Sequence, residues 1–200
     1  MSKLKRALII VFVALGLSSC EVISSIAHQA AELYNFTNCT FNLNNVDNIQ
    51  MLGVNLSKGM TQNDLNVTQL LNLTNALMKK TLPVTFNVNV DVTNPNSIAA
   101  SMAKMDYIVS LNNKEVISTT LNQAVSVPGK SKNTVSIPIT TDLFQLFSGE
   151  TADAIMNLAF KLAGANSEPV NLGLKVKPYI TINNQQLAYP NYISMNKVLQ

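Results

Sequence analysis

The sequence predicts a mainly β protein, an antiparallel β-sandwich with two accessory helices. The first observation is a strict alternation of apolar and polar residues from Leu82 to Asn96, the period of a strand with one face on a core and one in water. The second is that similar alternating stretches recur along the chain, separated by Asn-Asn, Pro-Gly and Asn-Pro-Asn turns. The third is that no linker or long repeat divides the chain, which indicates one domain.

The other strands are predicted where apolar residues recur at every second position. Asn48 and Gly53 indicate kinks or bulges in the first strand. Pro178 is expected to reset the register of a late strand, and the segment after Pro190 is expected to fray. These strands cover residues 36–56, 105–111, 115–121, 125–127, 134–139, 170–182 and 185–189.

Two longer helices are predicted, at 61–80 and 151–162. The first is capped by Thr61 or Asn63, and the second begins after Thr151 and ends at Gly164. A single helical turn is expected at 142–147. The apolar face of the first helix is interpreted as packing on the sandwich, with a cofactor or partner groove as the alternative; it comprises Leu65, Leu70, Leu73, Leu77 and Met78.

Charge is sparse, and its distribution argues against nucleic-acid binding. Charged residues make up 12% of the chain, against about 25% in typical domains, and asparagine takes many surface positions. Lys3, Lys5 and Arg6 account for the formal net charge of +3, so the remainder is formally neutral. Arg6 is the only arginine in the sequence, which further weakens a phosphate-binding interpretation.

The N-terminus has the pattern of an export signal. The basic residues precede an apolar segment, 7–16, that is too short to span a bilayer. The segment Leu17-Ser18-Ser19-Cys20 follows and resembles the lipobox of bacterial lipoproteins, with an ordinary secretory signal as the alternative. The expected organisation is a signal peptide at 1–19, a tether at 20–35 and a domain at 36–200.

The lipobox resemblance implies cleavage between Ser19 and Cys20 and acylation of Cys20. Two or more acyl chains anchor a protein stably without a transmembrane helix. Glu21 stands where the family's inner-membrane retention signal has aspartate. The resemblance therefore implies a location on the outer membrane of a bacterial cell envelope, facing the periplasm.

A second resemblance comes from the stretch around the central strand. The sequence Pro83-Val84-Thr85-Phe86-Asn87-Val88-Asn89-Val90, followed by Asn94-Pro95-Asn96, resembles the late-embryogenesis-abundant type 2 domain, also called the water-stress and hypersensitive-response domain. The strands at 105–111 and 135–139 fit the same pattern, so the resemblance covers about residues 40 to 185. It implies a fibronectin-III-like or immunoglobulin-like sandwich without catalytic residues.

No catalytic, metal or cofactor site is predicted. His28 is the only histidine, and it lies in the expected tether, outside the folded domain. Cys39 lacks a basic neighbour and is interpreted as a small buried hydrophobe. The carboxylates are scattered along the chain and form no motif.

The sequence therefore favours a lipid-anchored, non-enzymatic envelope lipoprotein that acts as a structural or protein-interaction module. Its expected partners are the membrane and another envelope protein. The alternative is a binding module for an apolar or amphipathic ligand such as a lipid, held in a cavity beneath Leu70, Leu73 and Leu77. An enzyme is the least favoured of the three hypotheses.

Overall fold

The computed structural model describes residues 24, 27, 28, 30–164, 169–182 and 185–199. Strands predominate in these residues, and two antiparallel sheets face each other across one hydrophobic core. The predicted mainly β sandwich is confirmed. In chain order the strands are β1 (Thr40–Met51), β2 (Val54–Asn55), β3 (Pro83–Thr93), β4 (Ala100–Met102), β5 (Lys104–Leu111), β6 (Lys114–Leu121), β7 (Val125–Val127), β8 (Lys132–Asp142), β9 (Val170–Ile182), β10 (Gln185–Ala188) and β11 (Ile193–Leu199).

The first sheet has the strand order β2-β1-β3-β8, and the second has the order β10-β9-β5-β6, with β11 also paired to β9. A separate two-stranded ribbon, β4-β7, lies where the chain crosses from the first sheet to the second. Contacts between the sheet edges close the sandwich. Thr141 Oγ1 of β8 donates a hydrogen bond to the Val116 carbonyl of β6 at 3.3 Å, and Lys197 of β11 donates one to the Asn44 carbonyl of β1.

Strand β3 is paired along both edges, to β1 and to β8. Its inner face carries five almost fully buried apolar residues, Val84, Phe86, Val88, Val90 and Val92. The prediction that its other face lies in water is wrong at two positions, because Asn89 and Asp91 are also buried, each with 7% exposure. Polar side chains of the neighbouring strands cover them and satisfy their hydrogen-bonding groups.

The predicted turns are found where asparagine or glycine permits a positive φ. Asn112 and Asn113 both have positive φ in the tight turn between β5 and β6. Asn48 has a positive φ at a register shift of β1, as predicted for a bulge. Gly53 lies in the turn between β1 and β2 and not in a bulge. The turn expected at 183–184 lies outside the described residues.

Four helices lie within the described residues, together with a 3-10 turn at Gln62–Asp64. Helix α1 covers residues 30–37, and the others are α2 (Val67–Met78), α3 (Leu143–Leu146) and α4 (Ala152–Leu162). None of the described helices is long and apolar enough to cross a membrane. Helix α4 is capped by Thr151 as predicted and packs six buried residues into the core.

The first accessory helix differs from its prediction in two respects. The segment predicted as this helix begins with the 3-10 turn, and α2 starts only after Asn66. The Asn66 side chain accepts a hydrogen bond from the Gln69 amide at 2.9 Å. The predicted caps Thr61 and Asn63 therefore do not cap α2. The apolar face is also only partly covered, since Leu73 and Ala76 are buried while Val67, Leu70, Leu71 and Met78 are exposed.

The last strands of the chain also differ from their prediction. Strand β9 keeps one register against β5 through Pro178, which is paired with Met105. The proline causes no reset because, on the opposite edge of β9, it lies in the gap between the partners β11 and β10. The predicted frayed tail is strand β11, which pairs with β9 over seven positions and buries Met195.

The sandwich has two distinct ends. The α1 end carries α1, the connection at 94–98 and the turn at 127–131. The helical end carries α2, α3 and α4, together with the turns between β1 and β2 and between β5 and β6. Strand β3 runs from the helical end to the α1 end, so its 11 residues separate the two ends by about 35 Å.

Asn94 organises the α1 end. Its side chain is 1% exposed, and its Nδ2 donates to the carbonyls of Ile98 at 2.9 Å, Val127 at 2.9 Å and Pro128 at 3.1 Å. Its Oδ1 accepts from the backbone amide of Asn96 at 3.0 Å. One carboxamide therefore ties the crossover after β3 to the turn before β8.

Replacing Asn94 by alanine is expected to destabilise the domain by about 2–4 kcal/mol, because buried carbonyl groups lose their donor. Urea denaturation of the two proteins measures the difference. Asn122→Ala, in an exposed loop, is the matched control and is expected to change stability by less than about 0.5 kcal/mol. Equal stability of the Asn94→Ala protein and the wild type would contradict this role.

A second polar cluster covers the outer face of β3 around Asp91. Lys132 Nζ lies 2.6 Å from Asp91 Oδ2, while Thr134 Oγ1 and Asn44 Nδ2 donate to Oδ1 at 2.8 and 3.2 Å. The hydrogen bonds from Lys132 and then Thr134 hold the pKa of the Asp91 carboxyl below its ordinary value. The ionised carboxylate therefore stabilises the paired strands.

The free energy of unfolding is expected to fall as the pH drops below about 4, the ordinary pKa of aspartate. A carboxyl with a lower pKa in the folded state contributes stability above the unfolded-state pKa, and this is lost as the pH falls through the folded-state pKa. Asp91→Asn should therefore lose less stability than the wild type between about pH 5 and about pH 2. Denaturation at each pH measures both slopes, and identical slopes would refute the assignment.

Candidate functional site

The residues predicted from the sequence to carry a modification lie outside the described residues. They are the lipobox residues Leu17, Ser18, Ser19 and Cys20. Helix α1 is the described element that follows them. Its position on the sandwich therefore determines where the N-terminal part of the chain joins the domain.

Helix α1 is seated on the connection at 94–98. Asn35 Nδ2 donates to the Ala99 carbonyl at 3.5 Å, and Asn96 Nδ2 donates to the Asn35 carbonyl at 3.1 Å. Phe36 is 2% exposed, and its ring centroid lies 5.4 Å from that of Phe41 in a tilted arrangement. The last turn of α1 is therefore fixed to the domain by both polar and apolar contacts.

Phe36 closes an apolar crevice between the two sheets. The crevice has a volume of about 20 Å³, enough for about one water molecule. Three of its lining residues are methionines, whose flexible side chains adapt to different shapes. The lining residues are Phe36, Phe41, Val90, Val92, Met102, Met105, Val135, Ile137, Val176 and Met195.

This crevice is the structural counterpart of the predicted ligand cavity, but it lies in a different place. The sequence pattern predicted a cavity beneath α2, where Leu73 is 1% exposed and belongs to the core. The crevice instead lies at the α1 end and is bounded by both sheets and by Phe36. No sequence signal marked Phe36 as its cover, because the residue stands alone between the expected tether and β1.

A larger and more polar cleft of about 430 Å³ lies at the helical end, between α4 and the turn joining β5 to β6. Lys114 Nζ lies 4.7 Å above the ring of Phe147 at its wall, a cation–π contact. Glu150 and Lys161 also line it. Among the described residues that line it, none is a histidine, cysteine, serine or threonine.

The titratable groups of the described residues are placed as structural groups. Cys39 is buried, its thiol donates to the Asn35 carbonyl at 3.3 Å, and burial raises its pKa to about 11. It is therefore a thiol at neutral pH. His28 Nε2 lies 3.4 Å from Oε1 of Glu32, four residues further along the chain. Among the described residues, no three His, Cys, Asp or Glu side chains converge on a metal position.

Asp106 is the centre of a polar group on the outer face of the second sheet. Burial, the largest effect, raises the pKa of its carboxyl, but hydrogen bonds from Thr120 and Tyr179 outweigh it, so the pKa lies below its ordinary value. Lys104 Nζ lies 4.7 Å above the Tyr179 ring. These contacts join three adjacent strands, and they position no nucleophile.

Three solved structures are similar to this chain at low identity. A crystal structure of a protein from Archaeoglobus fulgidus is 13% identical, with 76% of this chain and 94% of that chain covered and a TM-score of 0.34. The solution structure of a protein from Arabidopsis thaliana is 13% identical, with 80% of each chain covered and a TM-score of 0.43. The solution structure of a late embryogenesis abundant (LEA) protein is 14% identical, with 96% of this chain and 84% of that chain covered and a TM-score of 0.37.

No curated protein matches the sequence. A family model described as "Late embryogenesis abundant protein" matches residues 89–184. The matched region begins within β3, includes Asn94-Pro95-Asn96 and ends after β9, so it is narrower than the resemblance expected from about 40 to 185. Over residues 89–184, this chain is similar to the late embryogenesis abundant protein family, which supports the LEA type 2 domain predicted from its Asn-Pro-Asn motif.

Proposed function

We propose that this protein is a lipid-anchored, non-enzymatic lipoprotein of the bacterial cell envelope that acts as a structural or protein-interaction module. The observation that carries the proposal is the segment Leu17-Ser18-Ser19-Cys20, which follows a basic and then an apolar segment. The similarity to the LEA family supports a module without catalytic function. The described residues that line the two clefts form no Ser-His-Asp or Cys-His arrangement.

The α1 end suits a surface that faces a membrane. Four large side chains there are at least 40% exposed, namely Tyr34, Ile98, Leu187 and Tyr192. Tyrosine is enriched at membrane interfaces because its ring is apolar and its hydroxyl is polar. Lys104 and Lys177 lie on the same end and complement anionic lipid headgroups. An anchor at Cys20 would direct the helical end away from the bilayer, towards the periplasm.

Cys20→Ala is expected to abolish acylation, because it removes the sulfur that would accept the diacylglyceryl group. The variant should leave the membrane fraction or accumulate as uncleaved precursor. Cell fractionation and intact-mass measurement of the purified protein test this. The wild type should begin at Cys20 and carry two or three acyl chains.

Cys39→Ala is the matched control. It removes the other cysteine of the sequence at a cost of roughly 1–2 kcal/mol in stability and should leave anchoring unchanged. An unmodified wild-type N-terminus at any residue other than Cys20 would defeat the proposed anchor and the envelope location with it.

A second candidate function, binding of an apolar or amphipathic ligand such as a lipid, is favoured by the crevice beneath Phe36. The crevice is lined by apolar side chains alone and has an adaptable methionine wall. Its present volume is far below the 300 Å³ or so that ligand pockets have. A bound acyl chain therefore requires lining side chains to move, and Phe36 is the one contributed by α1.

Phe36→Ala is expected to increase affinity for a fatty acid such as lauric acid, because it removes the ring that covers the crevice. Binding is measured by adding the fatty acid to delipidated protein and monitoring the complex by native mass spectrometry. Phe144→Ala, which removes a half-buried ring at the helical end, is the control and should bind like the wild type. Absence of binding to both the wild type and Phe36→Ala would exclude this second function.

A further inference from the structure

Helix α2 presents an apolar stripe to solvent. Val67 and Met78 are 76% and 78% exposed, Leu71 is 60% exposed and Leu70 is 40% exposed. These four account for much of the large apolar side-chain surface exposed by the described residues. The segment from Val67 to Met78 contains no charged residue. Since exposed apolar side chains that share one helix face usually mark an interaction site, this stripe requires an explanation.

The spacing of the stripe identifies the shape of what covers it. Val67, Leu71, Thr74 and Met78 are separated by four, three and four residues, the spacing of the a and d positions of a coiled coil. Thr74 Oγ1 donates to the Leu70 carbonyl at 2.9 Å, so the threonine hydroxyl has a partner within its own helix. Its methyl group can therefore enter a dry contact. The four residues Val67, Leu71, Thr74 and Met78 therefore form a seam that fits a second helix.

The charges next to the seam indicate which helix would cover it. Asp64 precedes the helix, and Lys79 and Lys80 follow it, all of them exposed. A second copy of α2 in antiparallel orientation places the lysines of each chain beside the aspartate of the other. A parallel copy would place like charges together, which is unfavourable. The helix is thus complementary to itself under a twofold axis.

We propose that α2 mediates an antiparallel homodimer, with Val67 of each copy packed near Met78 of the other and the axis between Leu71 and Thr74. The inference does not depend on the lipid anchor, because α2 lies at the end of the sandwich opposite α1. The seam is three helical turns long and is smaller than the roughly 800 Å² per partner of a standard stable interface. The dimer is therefore a weak one that forms at high local concentration.

Cysteine cross-linking of the full chain tests the geometry. Val67 and Met78 are about 16 Å apart along the helix, so in the antiparallel dimer a short bismaleimide should join a Val67→Cys chain to a Met78→Cys chain. Each variant alone should give little product. The wild type is the control for Cys20 and Cys39, and Cys39 should react poorly because it is buried.

Two further variants separate the seam from general surface effects. Leu71→Glu should abolish the mixed cross-link, while Val198→Glu, at a residue 51% exposed on β11, should leave it unchanged. Circular dichroism confirms that each variant is folded. Efficient cross-linking of the Val67→Cys chain alone or of the Met78→Cys chain alone, a product with another protein only, or no mixed product at high protein concentration would overturn the antiparallel homodimer. None of these outcomes would bear on acylation of Cys20, which intact mass measures separately.

Discussion

The structure depends on the burial of strand β3, on its whole inner face and on part of its outer face. The strand is paired on both edges, so its backbone groups are satisfied by β1 and β8. Its valines and Phe86 form the inner face of the first sheet, and its outer face buries Asn89 and Asp91. A polar residue buried without partners would cost stability. The amides, carboxylate, hydroxyl and lysine contributed by β1 and β8 give Asn89 and Asp91 hydrogen-bond partners, so the alignment of three strands is specified by polar contacts as well as by apolar packing.

The same constraint governs how the chain leaves β3. Pro95 cannot donate to a ladder and favours extended backbone before it, so the strand must end there. Asn94 then binds three carbonyls of the crossover and the turn before β8, and Asn96 fixes α1. Gly129 is required at this junction because a Cβ atom would lie 2.3 Å from the Ser97 carbonyl oxygen. The Asn-Pro-Asn sequence therefore positions the N-terminal helix on the sandwich.

Local sequence patterns predicted the strands and most turns, because alternation and asparagine at positive φ are properties of short segments. They failed where distant residues decide the outcome. The pairing of β11 depends on the free edge of β9, and the burial of Asp91 depends on Lys132 and Thr134. The prediction of a cavity beneath α2 was wrong for the same reason, since the crevice beneath Phe36 is lined by ten residues from both sheets, the β4-β7 ribbon and α1. The exposed stripe of α2 looked like a core face because leucine spacing alone does not reveal which side of a helix packs.

The two ends of the sandwich differ in a way that bears on function. The α1 end joins the N-terminal segment and presents tyrosines and lysines, whereas the helical end presents an uncharged apolar seam. An apolar seam in solvent lowers solubility, and nothing in the core requires it, because Leu73 and Ala76 already hold α2 to the sandwich. In the proposed homodimer, these exposed side chains would be covered by the second copy. The proposed lipid anchor would leave the opposite end of the sandwich free for that contact, and confinement to a membrane would raise the local concentration that a weak helix pair needs.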